Sequence, residues 1–279
     1  MKKLILLTEY TGVTDENNWS FFQKGKNKLK DVVTNGIRKV NVIYNERFEE
    51  VASVVTIKRN KDGFIADTQI EKLISLLKNE QGEGICLGPL LAAEIQPALQ
   101  SFKIYTGCRL SLVLQLLRLC ASHPELLEEN IAVYFKDAIA FDVLDYLSAH
   151  FSYLGLFSRN QAALNSAERW LLENKGLCVY CTKTFQYLSD YKVLFDVGAQ
   201  EKRPYRFCKE FIIDWNCPPN DLGDLFPQDL QPQLPTSWNF RSPALLEGLI
   251  LNGIQESNSV YKEIEDWVIQ HQVNDSKFT

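Results

Sequence analysis

The sequence predicts an α/β protein of two α/β domains, the second built on a doubly wound parallel sheet. Three observations predict it. The chain has 279 residues, which at about 100–200 residues per domain suggests two domains or one large one. From residue 84 onward, short apolar runs alternate with segments of helical period, the pattern of strands joined by crossover helices. Between Ile131 and Val197 the order is strand, helix, strand, helix, strand, link, strand, the layout of one half of a doubly wound sheet.

The first strand is read at Lys3–Thr8. Met1-Lys2-Lys3 before Leu4–Leu7 resembles the start of a secretory leader, but Thr8-Glu9 interrupts the apolar run before the 7–15 residues such a leader needs. Asn17–Lys30 reads as helix or loop. Lys39–Tyr44 and Glu50–Lys58 are rich in Val and Ile and read as strands. The five residues between them are too few for a crossover helix, so a hairpin is expected. Lys61-Asp62-Gly63 reads as a turn. Asp67 or Thr68 is placed to cap a helix to about Lys78, because Ile70, Leu73, Ile74 and Leu77 have i, i+3, i+4, i+7 spacing.

Gly84–Leu87 then reads as strand, Leu90–Gln100 as helix, Lys103–Tyr105 as strand and Leu110–Ala121 as helix. In the second half the strands are Ile131–Phe135, Tyr153–Phe157, Leu177–Cys181 and Val193–Val197. The helices between them are Ala138–His150, capped by Asp137, and Gln161–Glu173. Phe211–Trp215 reads as a further strand. Asn216–Trp238 holds five of the ten prolines and reads as an extended surface loop, since proline cannot sustain a helix or a central strand. Helices at Pro243–Leu251 and Val260–Gln272 close the chain. The expected domains are 1–129 and 130–240, with 241–279 packing back on the first and a ligand cleft between them.

Composition narrows the function classes. Apolar residues make up 46% and charged residues 23%, with 30 basic against 35 acidic side chains and a net charge of −5. That is ordinary globular composition, with no basic excess to engage a phosphate backbone, so nucleic acid is not an expected partner. No apolar run reaches the 18–20 residues of a membrane span, so no membrane partner is expected. The seven cysteines, Cys86, Cys108, Cys120, Cys178, Cys181, Cys208 and Cys217, are odd in number and mostly lie in apolar segments, which favours reduced thiols and a cytoplasmic home.

The segment Ile131–Gln200 resembles the NAD(P)-binding domain of the shikimate dehydrogenase and glutamyl-tRNA reductase type. Three features carry the resemblance. Leu156-Phe157-Ser158-Arg159-Asn160 is similar to the Asn-Arg-Thr element that ends the second strand there. Val179-Tyr180-Cys181-Thr182 is similar to the third strand's end, and Val193-Leu194-Phe195-Asp196-Val197-Gly198 to the Ile-Asp-Ile segment. The resemblance implies a Rossmann-like fold with NAD or NADP as the candidate cofactor. It implies Ser158 and Arg159 near the adenosine ribose and Thr182 near the nicotinamide. The sequence departs at the first βα turn. The places of Gly-x-Gly-x-x-Gly/Ala hold Phe135, Asp137 and Ala140. Phe135 brings bulk where the turn tightens. Asp137 brings a carboxylate to the spot that normally attracts a diphosphate. Ala140 alone is expected to keep the close helix–strand packing.

The first half offers no Ser-x-Ser pair and no Lys and Asp catalytic pair, so the catalytic residues are unassigned. Cys108 opens a helix, where a thiol is activated, but it has no His nearby in sequence and reads as a buried thiol. Cys178-x-x-Cys181 lies on a strand, whose i and i+3 side chains face opposite ways. Cys208 and Cys217 have unsuitable spacing, and His123, His150 and His271 form no ligand grouping, so no metal site is expected. The glycines around Gly82, Gly84, Gly88 and Gly107 read as chain turns. The missing glycines and missing acid/base pair favour a non-catalytic scaffold or partner-binding protein. The competing expectation is an NAD(P)-dependent oxidoreductase with an altered cofactor pose.

Overall fold

The computed structural model describes residues 3–9, 37–60, 62–80, 84–197, 211–215, 222, 225–233, 241–252 and 260–273. Its elements are, in chain order, β1 (Leu4–Glu9), β2 (Ile37–Tyr44), β3 (Glu50–Ile57), α1 (Asp67–Asn79), β4 (Gly84–Cys86), α2 (Pro89–Ile95), β5 (Lys103–Tyr105) and α3 (Cys108–Ser122). There follow β6 (Asn130–Tyr134), α4 (Phe141–His150), β7 (Tyr153–Phe157), α5 (Gln161–Lys175), β8 (Tyr180–Thr182), β9 (Val193–Asp196) and β10 (Phe211–Asp214). The last are β11 (Gln231–Pro232), α6 (Pro243–Asn252) and α7 (Val260–Val273). The segment Asn17–Lys30, Gly82, Cys208 and Cys217 lie outside the described residues.

The chain forms two compact units, Met1–Gly107 with Asn220–Gln255, and Cys108–Pro219 with Glu256–Thr279. The division falls at Gly107, earlier than the expected 129, and α7 belongs to the second unit while α6 belongs to the first.

The first unit holds a mixed sheet in the order β11-β2-β3-β1-β4-β5. β1 pairs in parallel with β3 and β4, and β4 with β5. β2 runs antiparallel to β3, closing the expected hairpin. β1 and β3 read as near-continuous apolar runs because they are central, and Leu4–Leu7 and Val51–Ile57 are buried. A central strand covered on both faces has no polar alternation to show. The apolar stripe of α1 packs Leu73 and Leu77 into the core, with Ile70 and Ile74 at its margin. Burying a leucine side chain fully contributes about 1.5–3 kcal/mol.

The second unit holds a five-stranded sheet, all parallel, in the order β10-β9-β6-β7-β8. Numbered within the unit from β6 and read from the β8 edge, that order is 3-2-1-4-5, the order of the doubly wound Rossmann-like sheet. Its helix α3 buries Cys108, Leu110–Leu114, Leu116 and Leu119 and leaves Arg118 exposed, a broad apolar face turned to the core. Tyr146 of α4 stacks on Tyr261 of α7, ring centroids 4.9 Å apart, and fastens the closing helix within this unit.

Several local expectations shift. The cap of α1 is Ala66, not Asp67 or Thr68, with the Gln69 side chain accepting from its backbone N–H. The helix expected over Leu90–Gln100 ends at Ile95 and continues as a 3-10 turn over Gln96–Leu99, because Pro97 supplies no N–H to an α-ladder. The strand expected at Leu177–Cys181 is β8, Tyr180–Thr182. Leu177 still donates to the Leu171 carbonyl and so belongs to the end of α5. Inside the expected proline-rich loop, Pro232 takes an edge position beside Ile43, where a missing donor is tolerated. Asp137 does not cap α4, which begins at Phe141 with Ala140 as its cap residue.

Candidate ligand site at the carboxyl ends of the second sheet

β6 and β7 run in register to Tyr134 and Phe157. The ladder extends one residue further: Phe135 N–H donates to the Phe157 carbonyl at 3.1 Å and Ser158 N–H to the Thr182 carbonyl at 3.3 Å. The two turns that follow are tied by one side chain. Ser158 is 0% exposed; its Oγ donates to the Lys136 carbonyl at 3.0 Å and accepts from Asn160 N–H at 3.1 Å. Asn160 completes the link, its Nδ2 donating to the Asp137 carbonyl at 3.3 Å. Its Oδ1 accepts from Ala162 and Ala163 N–H, which caps α5 as an Asn before a helix does.

These ties hold open a cavity of about 230 Å³ lined by Tyr134, Lys136, Asp137, Arg159 and Asn160. It lies at the carboxyl ends of parallel strands, where open α/β sheets bind ligands. The Arg159 guanidinium sits 5.5 Å over the Phe185 ring, a cation–π contact. Phe185 in turn meets Tyr134 edge-on, centroids 5.4 Å apart at 86°. Among the described residues neither the Arg159 guanidinium nor the Asp137 carboxylate makes a hydrogen bond or ion pair. The wall therefore presents an oriented guanidinium and one carboxylate, with Lys136 beside them. That set suits a small anionic group carrying a hydroxyl or amine, since Arg meets oxyanions in a fixed fork and a carboxylate accepts.

Of the five residues expected to meet a cofactor, Asp137 and Arg159 line this cavity. Ser158 shapes it from beneath. Phe135 is fully buried in the core. Thr182 accepts from Thr184 N–H at 3.0 Å and shapes its own turn. Ala140 is exposed and makes no close helix–strand packing, contrary to expectation. Lys136, Asn160 and Tyr134 were not expected here; the Asn cap one residue before α5 is the signal that could have found Asn160.

Two buried or half-buried thiols are held protonated by their settings. Burial, and then the charge of Glu168, push Cys181 up to about 11, so it is protonated at neutral pH. Burial, and then Glu247, push Cys86 well above its ordinary range. Cys108 is buried at the first turn of α3. No group of three or more His, Cys, Asp or Glu among the described residues is arranged to hold a metal ion.

No family model matches the sequence, and no curated protein matches it. Solved structures do. Shikimate dehydrogenase from Aquifex aeolicus matches at 11% identity, over 76% of this chain and 78% of that one, with a TM-score of 0.38. L-tryptophan dehydrogenase from Nostoc punctiforme matches at 12% identity and a TM-score of 0.33, over 81% of this chain but 64% of that one, less than two thirds of its length. A chorismate mutase/shikimate 5-dehydrogenase fusion protein from Clostridium acetobutylicum matches at 12% identity, over 98% and 91%, with a TM-score of 0.33. The Rossmann-like assignment rests on the strand order of the second sheet itself. No helix among the described residues is long and apolar enough to cross a membrane.

Proposed function

We propose that this chain is a Rossmann-like protein related to NAD(P)-dependent oxidoreductases that lacks classical dinucleotide binding and acts as a non-catalytic scaffold or partner-binding protein in the cytoplasm. One observation carries the reading. β6 ends at Tyr134 and α4 begins at Phe141, so residues 135–140 replace the tight glycine turn that delivers a helix N-terminus to a diphosphate. Within that span Phe135 and Ile139 are buried and Asp137 lines the cavity. A diphosphate there would find no glycine cradle, and the Asp137 carboxylate would offset part of the attraction of Arg159.

The second reading, an oxidoreductase that binds NAD or NADP in an altered pose, draws on Arg159. Its guanidinium is oriented by Phe185 and has no protein acceptor among the described residues.

Thermal shift with NAD, NADP and their reduced forms at millimolar concentration separates the readings. A ligand at about 100 times its dissociation constant stabilises by about 2.7 kcal/mol. The leading reading expects no shift with any form. A shift that Arg159→Gln abolishes would replace it with the second.

A further inference from the structure

Two five-residue turns of the first unit share one hydrogen-bond pattern. In the first, Asn45 N–H donates to the Glu49 carbonyl at 3.1 Å and Phe48 N–H to the Asn45 carbonyl at 3.0 Å. Asn45 Oδ1 accepts from Arg47 and Glu49 N–H, each at 3.0 Å. In the second, Asn60 N–H donates to the Phe64 carbonyl at 2.9 Å and Gly63 N–H to the Asn60 carbonyl at 3.1 Å. Asn60 Oδ1 accepts from Asp62 and Phe64 N–H, at 3.0 and 2.8 Å. The fourth residue is left-handed in both: Gly63 at φ 83° and Phe48 at φ 58°. Glycine adopts that conformation without strain, whereas an aromatic residue crowds its own backbone.

Phe48 gains nothing from the fold in return, because its side chain is 86% exposed. Residues held in such conformations persist where the surroundings over-determine them, and they concentrate at functional positions. Here the surroundings are explicit: the four turn bonds above, and a further one from Asn45 Nδ2 to Glu49 Oε2 at 2.8 Å. The tip is therefore a rigid mount for an outward phenylalanine. A rigid aromatic loses little freedom on burial and is a common anchor of protein interfaces. Glu46 and Glu49 flank it against the single positive charge of Arg47. The anchor is thus rimmed by net negative charge, which disfavours an anionic lipid surface and complements a basic rim.

We infer that the Asn45–Glu49 turn is a docking element that inserts Phe48 into an apolar socket, rimmed by Lys or Arg, on a different protein. This gives the partner-binding reading above a surface and rests on that reading for the nature of the occupant. A dinucleotide-induced shift would defeat that reading without touching the Phe48 results.

The test uses the full chain. Phe48→Gly is expected to raise Tm by roughly 2–4 °C, because the strain disappears and no packing is lost. An equal or lower Tm would overturn the premise. For the occupant, p-benzoylphenylalanine at position 48 is photolysed in the cells that make the protein, with the same group at the exposed Tyr153 as control. The cross-linked protein is then identified, purified and titrated against wild type, Phe48→Leu and Phe48→Gly by calorimetry. The expected result is at least tenfold weaker binding of Phe48→Gly, retention by Phe48→Leu, and affinity that falls with added salt. The inference is overturned by no cross-link above the control, by cross-links to lipid or to a second copy of this chain, or by equal binding of Phe48→Gly.

Discussion

Lys3 donates to Glu80 at 2.5 Å across 77 positions of sequence, and Lys39 donates to the same Oε2 at 2.6 Å. Ser53 adds a third bond at 3.2 Å, and Glu50 pairs with Lys3 at 2.7 Å. Burial alone would raise the Glu80 carboxyl, but the bonds from Lys3 and Lys39 outweigh it and hold the group at about 2 against an ordinary 4.5. A carboxyl depressed on folding contributes stability that is complete above its unfolded value and lost as pH falls through its folded one. Stability of the first unit should therefore drop between about pH 5 and pH 2, by about 1–3 kcal/mol after allowance for partial exposure. Glu80→Gln should lower stability at neutral pH and flatten this acid limb. Urea midpoints at pH 7, 4 and 3 check it; an unchanged limb in Glu80→Gln would refute it.

Gly107, between β5 and α3, has φ 79°, and a Cβ there would lie 2.7 Å from Pro243 Cβ and 2.8 Å from Ala244 N. The second contact is backbone at the start of α6 and has no rotamer to move. Gly107→Ala combines left-handed strain with this clash and should cost about 2–4 kcal/mol. The Tm should fall accordingly, while the neighbouring Thr106→Ala serves as a control for the turn. A loss below 1 kcal/mol would show that α6 yields.

Much of this fold is legible in the sequence because local and global preferences agree. Tyr153–Phe157 is a strand at the expected bounds, and β2 and β3 form the expected hairpin. Each is a β-branched or apolar run bounded by polar residues. The failures come where a distant group decides. Asp137 reads as a helix cap from its neighbours alone, but its carbonyl is held by Asn160 and the burial of Ile139 carries the chain past it before α4 starts. Nothing near residue 137 encodes Asn160. Likewise Leu177 has strand character, yet its N–H is taken by Leu171. The candidate site was half legible for the same reason. Arg159 and Asp137 follow from strand ends, whereas the buried Ser158 that ties both turns acts through the Lys136 carbonyl and the Asn160 N–H, a pairing that sequence does not reveal.

His150 joins α4 to α7 in the second unit. Its Nδ1 lies 3.0 Å from the Tyr146 carbonyl and its Nε2 3.4 Å from Glu265 Oε1. Tyr146 also stacks on the buried Tyr261. Of these two links the aromatic pair is the stronger, since an ion pair at this exposure is worth about 1 kcal/mol or less. Tyr261→Ala should cost about 3–5 kcal/mol and Glu265→Gln less than about 1. Guanidinium unfolding of the two variants checks the order; the reverse order would transfer the attachment to the ion pair.

Ser158→Ala should loosen both turns at once. It leaves the Asn160 N–H without its acceptor and the Lys136 carbonyl without its donor; both residues are exposed, so the loss should be about 0.5–1.5 kcal/mol. Ser158→Cys, which keeps a weak donor and the volume, should recover part of that loss. Denaturation midpoints read the effect, and an unchanged midpoint in Ser158→Ala would mean that the turns hold without it.

Asp137 sets the charge of the cavity. Arg159 and Lys136 attract an anion to it, and the Asp137 carboxylate opposes one. At an effective surface dielectric, one like charge several ångströms away costs an anion about 1–2 kcal/mol, or roughly tenfold in affinity. Asp137→Asn keeps the shape and removes the charge, so pyrophosphate should bind about tenfold more tightly to it than to wild type. Asp137→Asn combined with Arg159→Gln should lose that gain, because the attracting guanidinium has gone too. Calorimetric titration with pyrophosphate at low salt distinguishes the cases. Equal affinities in wild type and Asp137→Asn would mean that an anion does not reach this carboxylate, and the electrostatic argument against a diphosphate in this turn would fall with it.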